Sequence, residues 1–341
     1  MHLTVSPGFV HNPRSVASPN VSSLCRLRDF SGGLHSRKPI FSRPEKISSR
    51  KELLVANAQA LDNPLDAPVD LPSRMNNVPH QREMRQFFYH DVSTAVKSAV
   101  AAGVFKMTVR CTVPETNPEM DVYRIGTLLE LVRELATTLV ADGKRVKVCV
   151  QQSMGQGVFQ GMPLSLAGVR RIMEAMDWGE AIDFVAFGQV GSDQIDDFDH
   201  YILIAPQNVV GSTIMTNLTE MVDSAVARQK PIILINPILK DIPSSGGVMG
   251  IRGRKERMEM VASFEPAYHF RLLYRMGSFW PIKGALRRAY GGEWELYKRV
   301  DLGKRQEEYQ LMGLFEKEPG SGEITDCFER NRKSVRPKRR W

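Results

Sequence analysis

Two rhythms of apolar positions alternate along the middle of the chain. Over residues 81–102 the helical rhythm puts Ala95, Val96, Ala99 and Val100 on one face, and Gly103 follows where a helix end favours glycine. VFKMTVRCTV, 104–113, then reads as a strand, and PETNPEMD, 114–121, as a turn. A second helix is predicted over 121–141, with Ile125, Leu128, Leu129, Val132, Leu135 and Leu139 on one side and Gly143 beyond it. Further strands are expected at 145–152, 182–190, 200–206 and 231–237, and further helices at 165–176, 214–229 and 254–262.

Apolar strands with few charges suit burial on both faces. Their alternation with helices predicts an α/β fold: a Rossmann-like, mostly parallel sheet flanked by helices. The third and fourth strands are joined by roughly nine residues, few for a right-handed crossover. Either one of the two is antiparallel or the link is irregular. Beyond 263 the period falls to two. AYHFRLLYR, 267–275, puts Tyr268, Phe270, Leu272 and Tyr274 on one face and His269, Arg271 and Arg275 on the other. An aromatic and basic strand of this kind also suits an RNA platform; the reading preferred is aromatics in the core and arginines in water. ALRRAYGGEWELYKRV, 285–300, reads as a hairpin turning at Gly291 and Gly292, so a C-terminal antiparallel extension is expected.

Charge changes the picture mainly at the ends. The formal net charge is +8, but removing residues 1–60 and 330–341 leaves 30 basic against 35 acidic residues. The body is mildly acidic, which disfavours nucleic acid as its partner. Residues 1–50 hold ten serines and six arginines with only Asp29 and Glu45 as acids, and LLVANAQA, 53–60, supplies small residues for processing. Residues 1–57 are therefore read as a chloroplast transit peptide, 58–80 as a Pro-rich linker, 81–329 as one α/β domain and 330–341 as a basic disordered tail. The tail's charge suits anionic lipid head groups, an acidic partner or simple solubility. The longest uncharged run, Tyr201 to Thr219, contains Pro206, Gln207, Asn208, Gly211, Ser212 and Asn217, too polar for a membrane span. Cys25, Cys111, Cys149 and Cys327 form no close pair, so neither a metal site nor a disulfide framework is expected.

In an open parallel sheet, ligands bind beyond the carboxyl ends of the strands. Those ends carry Glu115 and Asn117, Gln151 and Gln152, Gln189, Gln207 and Asn208, and Asn236. Carboxamides orient polar ligands or peptides through donors and acceptors but are poor acids, bases or nucleophiles. They also serve loops as caps and bridges. The acidic run SDQIDDFDH, 192–200, lacks calcium-loop spacing and reads as a solvated loop. MGQGVFQGMP, 154–163, is a weak match to a dinucleotide loop, being after the second strand. SSGGVMGIRGRKER, 244–257, lacks the lysine and hydroxyl of a phosphate loop; Gly246, Gly247, Gly250, Arg252, Gly253 and Arg254 are read as a flexible basic lip of the strand-end crevice. Lone histidines such as His90, His200 and His269 are read as structural.

PETNPE (114–119), YRIGTLLELVREL (123–135), YILIAPQN (201–208) and PIILINPIL (231–239) together resemble a domain of unknown function shared by cyanobacteria and plastids. The resemblance covers roughly 82–330. The family includes the plant low-photosystem-II-accumulation-type assembly proteins, and its domain also follows the catalytic domain of one chloroplast adenylate kinase. It implies a stromal or thylakoid-peripheral factor that assists photosystem assembly, with a photosystem subunit or another assembly factor as partner. It carries over no catalytic residues and implies no cofactor. The expectation is thus a non-catalytic client-binding factor. The alternative is an enzyme or sensor for a phosphorylated metabolite or nucleotide in the same crevice.

Overall fold

A computed structural model of the chain describes residues 69–151, 166–208, 214–239, 253–275, 281–303 and 306–334. The segments at 152–165 and 240–252, which hold the first glycine-rich stretch and Gly246, Gly247, Gly250 and Arg252, lie outside the described residues.

Among the described residues nine strands form one sheet in the order β3-β2-β4-β5-β1-β6-β7-β8-β9. The first six are β1 (Lys106–Thr112), β2 (Val146–Val150), β3 (Val185–Gln189), β4 (His200–Ile204), β5 (Ile232–Ile235) and β6 (Glu265–Tyr274). All their pairings are parallel. β7 (Ile282–Ala289), β8 (Trp294–Gly303) and β9 (Gln306–Phe315) add antiparallel ladders to β6. The α/β fold with a mostly parallel body and an antiparallel end is therefore as the apolar rhythm predicts. β9 and a final helix were not legible.

Among the described residues six helices cover the two faces. α1 (Arg82–Ala101), α2 (Ile125–Ala141) and α3 (Leu166–Glu174) lie on one face, here the α1 face. α4 (Met215–Ala227), α5 (Arg254–Ala262) and α6 (Ser321–Ser334) lie on the other, the α4 face. α1 buries Met84, Phe88, Val92, Ala95, Val96 and Ala99, the residues that its 3.6-residue repeat brings together. It ends where Gly103 takes φ +78°, so that Gly103 and Val104 donate back to Val100 and Ala99. α2 buries Leu128, Leu129, Leu131, Val132, Leu135 and Leu139 on the same core. α4 packs Leu218, Met221, Val222 and Ala225 against Tyr201, Leu203, Ile232 and Leu234. α5, by contrast, has no buried residue.

The short link from β3 to β4 is the irregular one of the two alternatives, since β2 pairs in parallel with both strands. Residues 190–199 cross the α4 face through a single 3₁₀ turn, burying Val190 and Ile195. Here the acidic run has structural employment. Asp196 accepts from Lys147 Nζ at 2.8 Å, and Asp199 caps the Arg145 N–H at 2.9 Å. Burial works against the charge of Asp196, but the Lys147 hydrogen bond and its neighbours hold its pKa below the usual carboxylate value. Among the described residues no group of three His, Cys, Asp or Glu is arranged to hold a metal ion.

Two expected boundaries are corrected. Residues 69–80, expected as linker, are welded to the domain: Met75 is fully buried, and Tyr297 Oη donates to the Val69 carbonyl at 3.1 Å. α6 runs through Ser334, past the end expected for the domain. No described helix is long and apolar enough to cross a membrane.

Candidate functional site

The chain leaves β1 towards the α1 face and leaves β5 towards the α4 face. β1 and β5 are neighbours, so their carboxyl ends form a topological switch point, where open α/β sheets place ligands. Asn236 stands there with φ +45°, a left-handed conformation that asparagine tolerates better than most residues. Its Oδ1 accepts the Cys111 N–H at 2.7 Å, and its Nδ2 donates to the carbonyls of Cys111 (3.0 Å) and Thr116 (3.1 Å). The side chain thus continues the ladder where β5 stops.

Glu115 is 1% exposed. Its carboxylate accepts the His80 N–H at 3.0 Å and the Thr127 hydroxyl at 3.1 Å, with Arg124 Nε 3.7 Å away. It ties the incoming chain, the 3₁₀ turn at Pro114–Thr116 and α2 into one knot. Asn117 accepts the Glu119 N–H at 3.0 Å, a local turn.

The other carboxamides form a separate group. Gln151 Oε1 accepts the Gln207 N–H at 3.0 Å, and the Asn208 N–H donates to Ile238 at 3.1 Å. These bonds knit the ends of β2, β4 and β5 together. Gln189 ends β3 at the sheet's edge. The strand-end amides therefore do not converge on one point. Gly253 and Arg254 begin α5, and the rest of the basic lip lies outside the described residues.

What the switch point does open onto is a trough of about 580 Å³ on the α4 face. α4 covers β4 and β5, and α6 covers the antiparallel end, leaving β1 and β6 as floor between them. Because Met107, Val109 and Cys111 point into the α1-side core, Thr108, Arg110 and Thr112 point into the trough. The same alternation in β6 buries Tyr268, Phe270 and Leu272 on the α1 side and turns His269 and Arg271 to the trough. Met258, Val261 and Phe264 make an apolar wall, and Trp294 makes part of the other.

The electrostatics of the floor are uneven. Arg271 reaches Glu318 at 3.5 Å. Arg288 is held by Glu265 at 3.0 Å and by the Pro266 carbonyl at 2.8 Å. Arg110 is exposed, although it sits in the middle of a central strand, and has no ion-pair partner among the described residues. His269 is 4% exposed and stacks edge-on against Trp294 at 4.8 Å. Burial, reinforced by the charges of Arg110, Arg271 and Arg288, pushes its pKa down to about 3, so the ring is neutral. Its Nε2 is buried without a hydrogen-bond partner.

The sequence placed His269 and Arg271 on one face but assigned that face to bulk water, and it passed over Arg110. A signal was present: a charge inside a strand expected to be covered on both faces.

A doubly wound sheet with an antiparallel extension and an arginine-bearing trough at its switch point places the chain in the α/β class. Residues 82–326 match the family described as a domain of unknown function, DUF1995, and the chain belongs to that family.

Proposed function

We propose that the protein is a non-catalytic binding factor for a client polypeptide, serving photosystem biogenesis, with photosystem II first, at the stromal surface of the thylakoid. The observation that carries this reading is the trough. It is open along the strands, walled by Met258, Val261, Phe264 and Trp294, and floored by threonines and arginines. Such a surface suits a polypeptide segment with both apolar and polar side chains better than a small molecule, which favours a closed pocket. The Ser- and Arg-rich residues 1–57 support a plastid address. Partners are a photosystem subunit or another assembly factor.

A photo-cross-linking residue at Met258, which is 43% exposed on the trough wall, tests the reading in solubilised thylakoids. The expected adduct is a photosystem polypeptide or an assembly factor. Adducts confined to abundant stromal enzymes would overturn it. The second reading, a sensor or enzyme for a phosphorylated metabolite or nucleotide, draws on Arg110 and Arg271 in the same trough. It requires that such a ligand raise the melting temperature of the folded protein.

A further inference from the structure

We propose that the trough selects its occupant by a carboxylate: Arg110 takes the side chain of an Asp or Glu flanked by apolar residues, beside His269, whose Nε2 has no hydrogen-bond partner. This rests on the polypeptide reading and adds a chemical class to it.

Three observations converge on an oxyanion. First, Arg110 is exposed and lacks an ion-pair partner among the described residues, while Arg287 and Arg288 on β7 are both paired to carboxylates. Unlike those two, it keeps its donors for a ligand. Second, His269 lines the same floor, 4% exposed, with Nε2 lacking any hydrogen-bond partner. A neutral imidazole carries its proton on one of its two nitrogens, so the ring can donate to an oxyanion beside it. Buried polar groups are ordinarily satisfied, and an orphan of this kind calls for a partner that arrives from outside. Third, the wall opposite is apolar, so the anion is carried on an apolar body.

Charge balance favours a monoanion over a phosphate. The trough lining holds two arginines and two glutamates, Glu119 and Glu318. Glu318 already engages Arg271 at 3.5 Å. Over the described lining these charges cancel, which leaves no excess for a dianion, and Arg110 is the cation that meets no carboxylate among the described residues. A single carboxylate suits that guanidinium, which can bind it bidentately.

The ring of charges around His269 adds a pH readout. The groups facing it are Arg110 from β1, Arg271 from its own strand and Arg288 from β7, with Trp294 of β8 stacked on the ring; the arginines and burial keep it neutral. A carboxylate bound beside it counters those charges and favours the imidazolium. Binding therefore tightens as pH falls through the pKa of the ring in the complex, a dependence that arginines alone do not give.

The test is selection from a random peptide library on the immobilised full-length protein, followed by affinity measurements on the enriched peptides. We expect an Asp or Glu beside apolar residues in each. Replacing it by Asn or Gln should weaken binding at least about tenfold, and Arg110→Gln should do the same. Lys97→Gln, a change at the distant groove between α1 and α2, should leave affinity unchanged. Enriched peptides without a carboxylate, or affinities indifferent to Arg110→Gln, would overturn the charge selection while leaving polypeptide binding standing. No enrichment, together with a raised melting temperature in inorganic phosphate that Arg110→Gln abolishes, would overturn both.

Discussion

Two arginines in neighbouring parts of the sheet meet opposite fates. Arg287, on β7, points to the α1 face and is buried. Its guanidinium donates to both oxygens of Asp91 at 2.6 and 2.8 Å and to Glu295 at 2.9 Å, and the Tyr268 and Tyr297 hydroxyls complete the cluster. Burial works against its charge, but the two carboxylates prevail and its pKa rises. Arg110, on β1, points to the α4 face and meets no carboxylate among the described residues. The difference teaches where the molecule is finished. On the α1 face a charge was buried only with its partners supplied from α1 and β8. In the trough the cation is left open to solvent. The groove between α1 and α2 makes the same point: it is as large, about 570 Å³, yet there Arg85 and Tyr89 both satisfy Glu130 at 2.9 Å.

Asp91→Ala breaks the comparison most severely, because it turns Arg287 into a buried cation with half its partners. Removing one member of a buried ion pair costs about 3–5 kcal/mol. Urea denaturation should show that loss with an unchanged slope, and a loss below about 1 kcal/mol would mean that water already reaches the cluster.

Acid should separate the two faces next. His200 and His269 are neutral in the fold; burial first, and neighbouring cations second, hold their pKa values down to about 4 and about 3, against 6.5 for the free side chain. The unfolded chain therefore binds more protons over that range. The stabilisation is fully present above pH 6.5 and is lost as pH falls through it towards 4 and then 3. For His200 the full loss is on the order of 3 kcal/mol. His269→Gln should flatten the lower part of the stability curve measured from pH 7 to 4, and an unaltered curve would refute the assignment.

Arg110→Gln should have the smallest effect on folding, within about 0.5 kcal/mol, as for an exposed side chain with no partner to lose. Thermal denaturation beside Asp91→Ala would sharpen the contrast; a comparable loss for both would show that Arg110 is a structural cation after all.

Much of this fold was legible because its residues carry unambiguous periods. The six described parallel strands and five of the helices fall where the apolar rhythm puts them. β9 and α6 escaped for a physical reason. QEEYQLMGLF is an edge strand whose consecutive Glu307 and Glu308 break the apolar alternation, and it buries only Tyr309, Met312, Gly313 and Phe315. α6 buries Cys327 and packs Ile324 and Phe328 against the antiparallel end, too narrow a stripe to announce itself. The candidate site was half legible. Strand ends were found by pattern, yet their amides and Glu115 turned out to close hydrogen bonds of the scaffold. The trough depends on which helices cover which strands, and that is decided by packing over long separations.

The position of β1 has a consequence in time. It is the first strand among the described residues, and it pairs with β5 through Lys106↔Ile232 and with β6 through Met107↔Glu265. A chain emerging at ~5–20 residues per second must wait on the order of ten seconds before either partner exists. Until then both edges of the central strand lack their partners, although α1 is at hand to cover one face. The strand that later floors the trough is therefore the one whose edges wait longest for their partners.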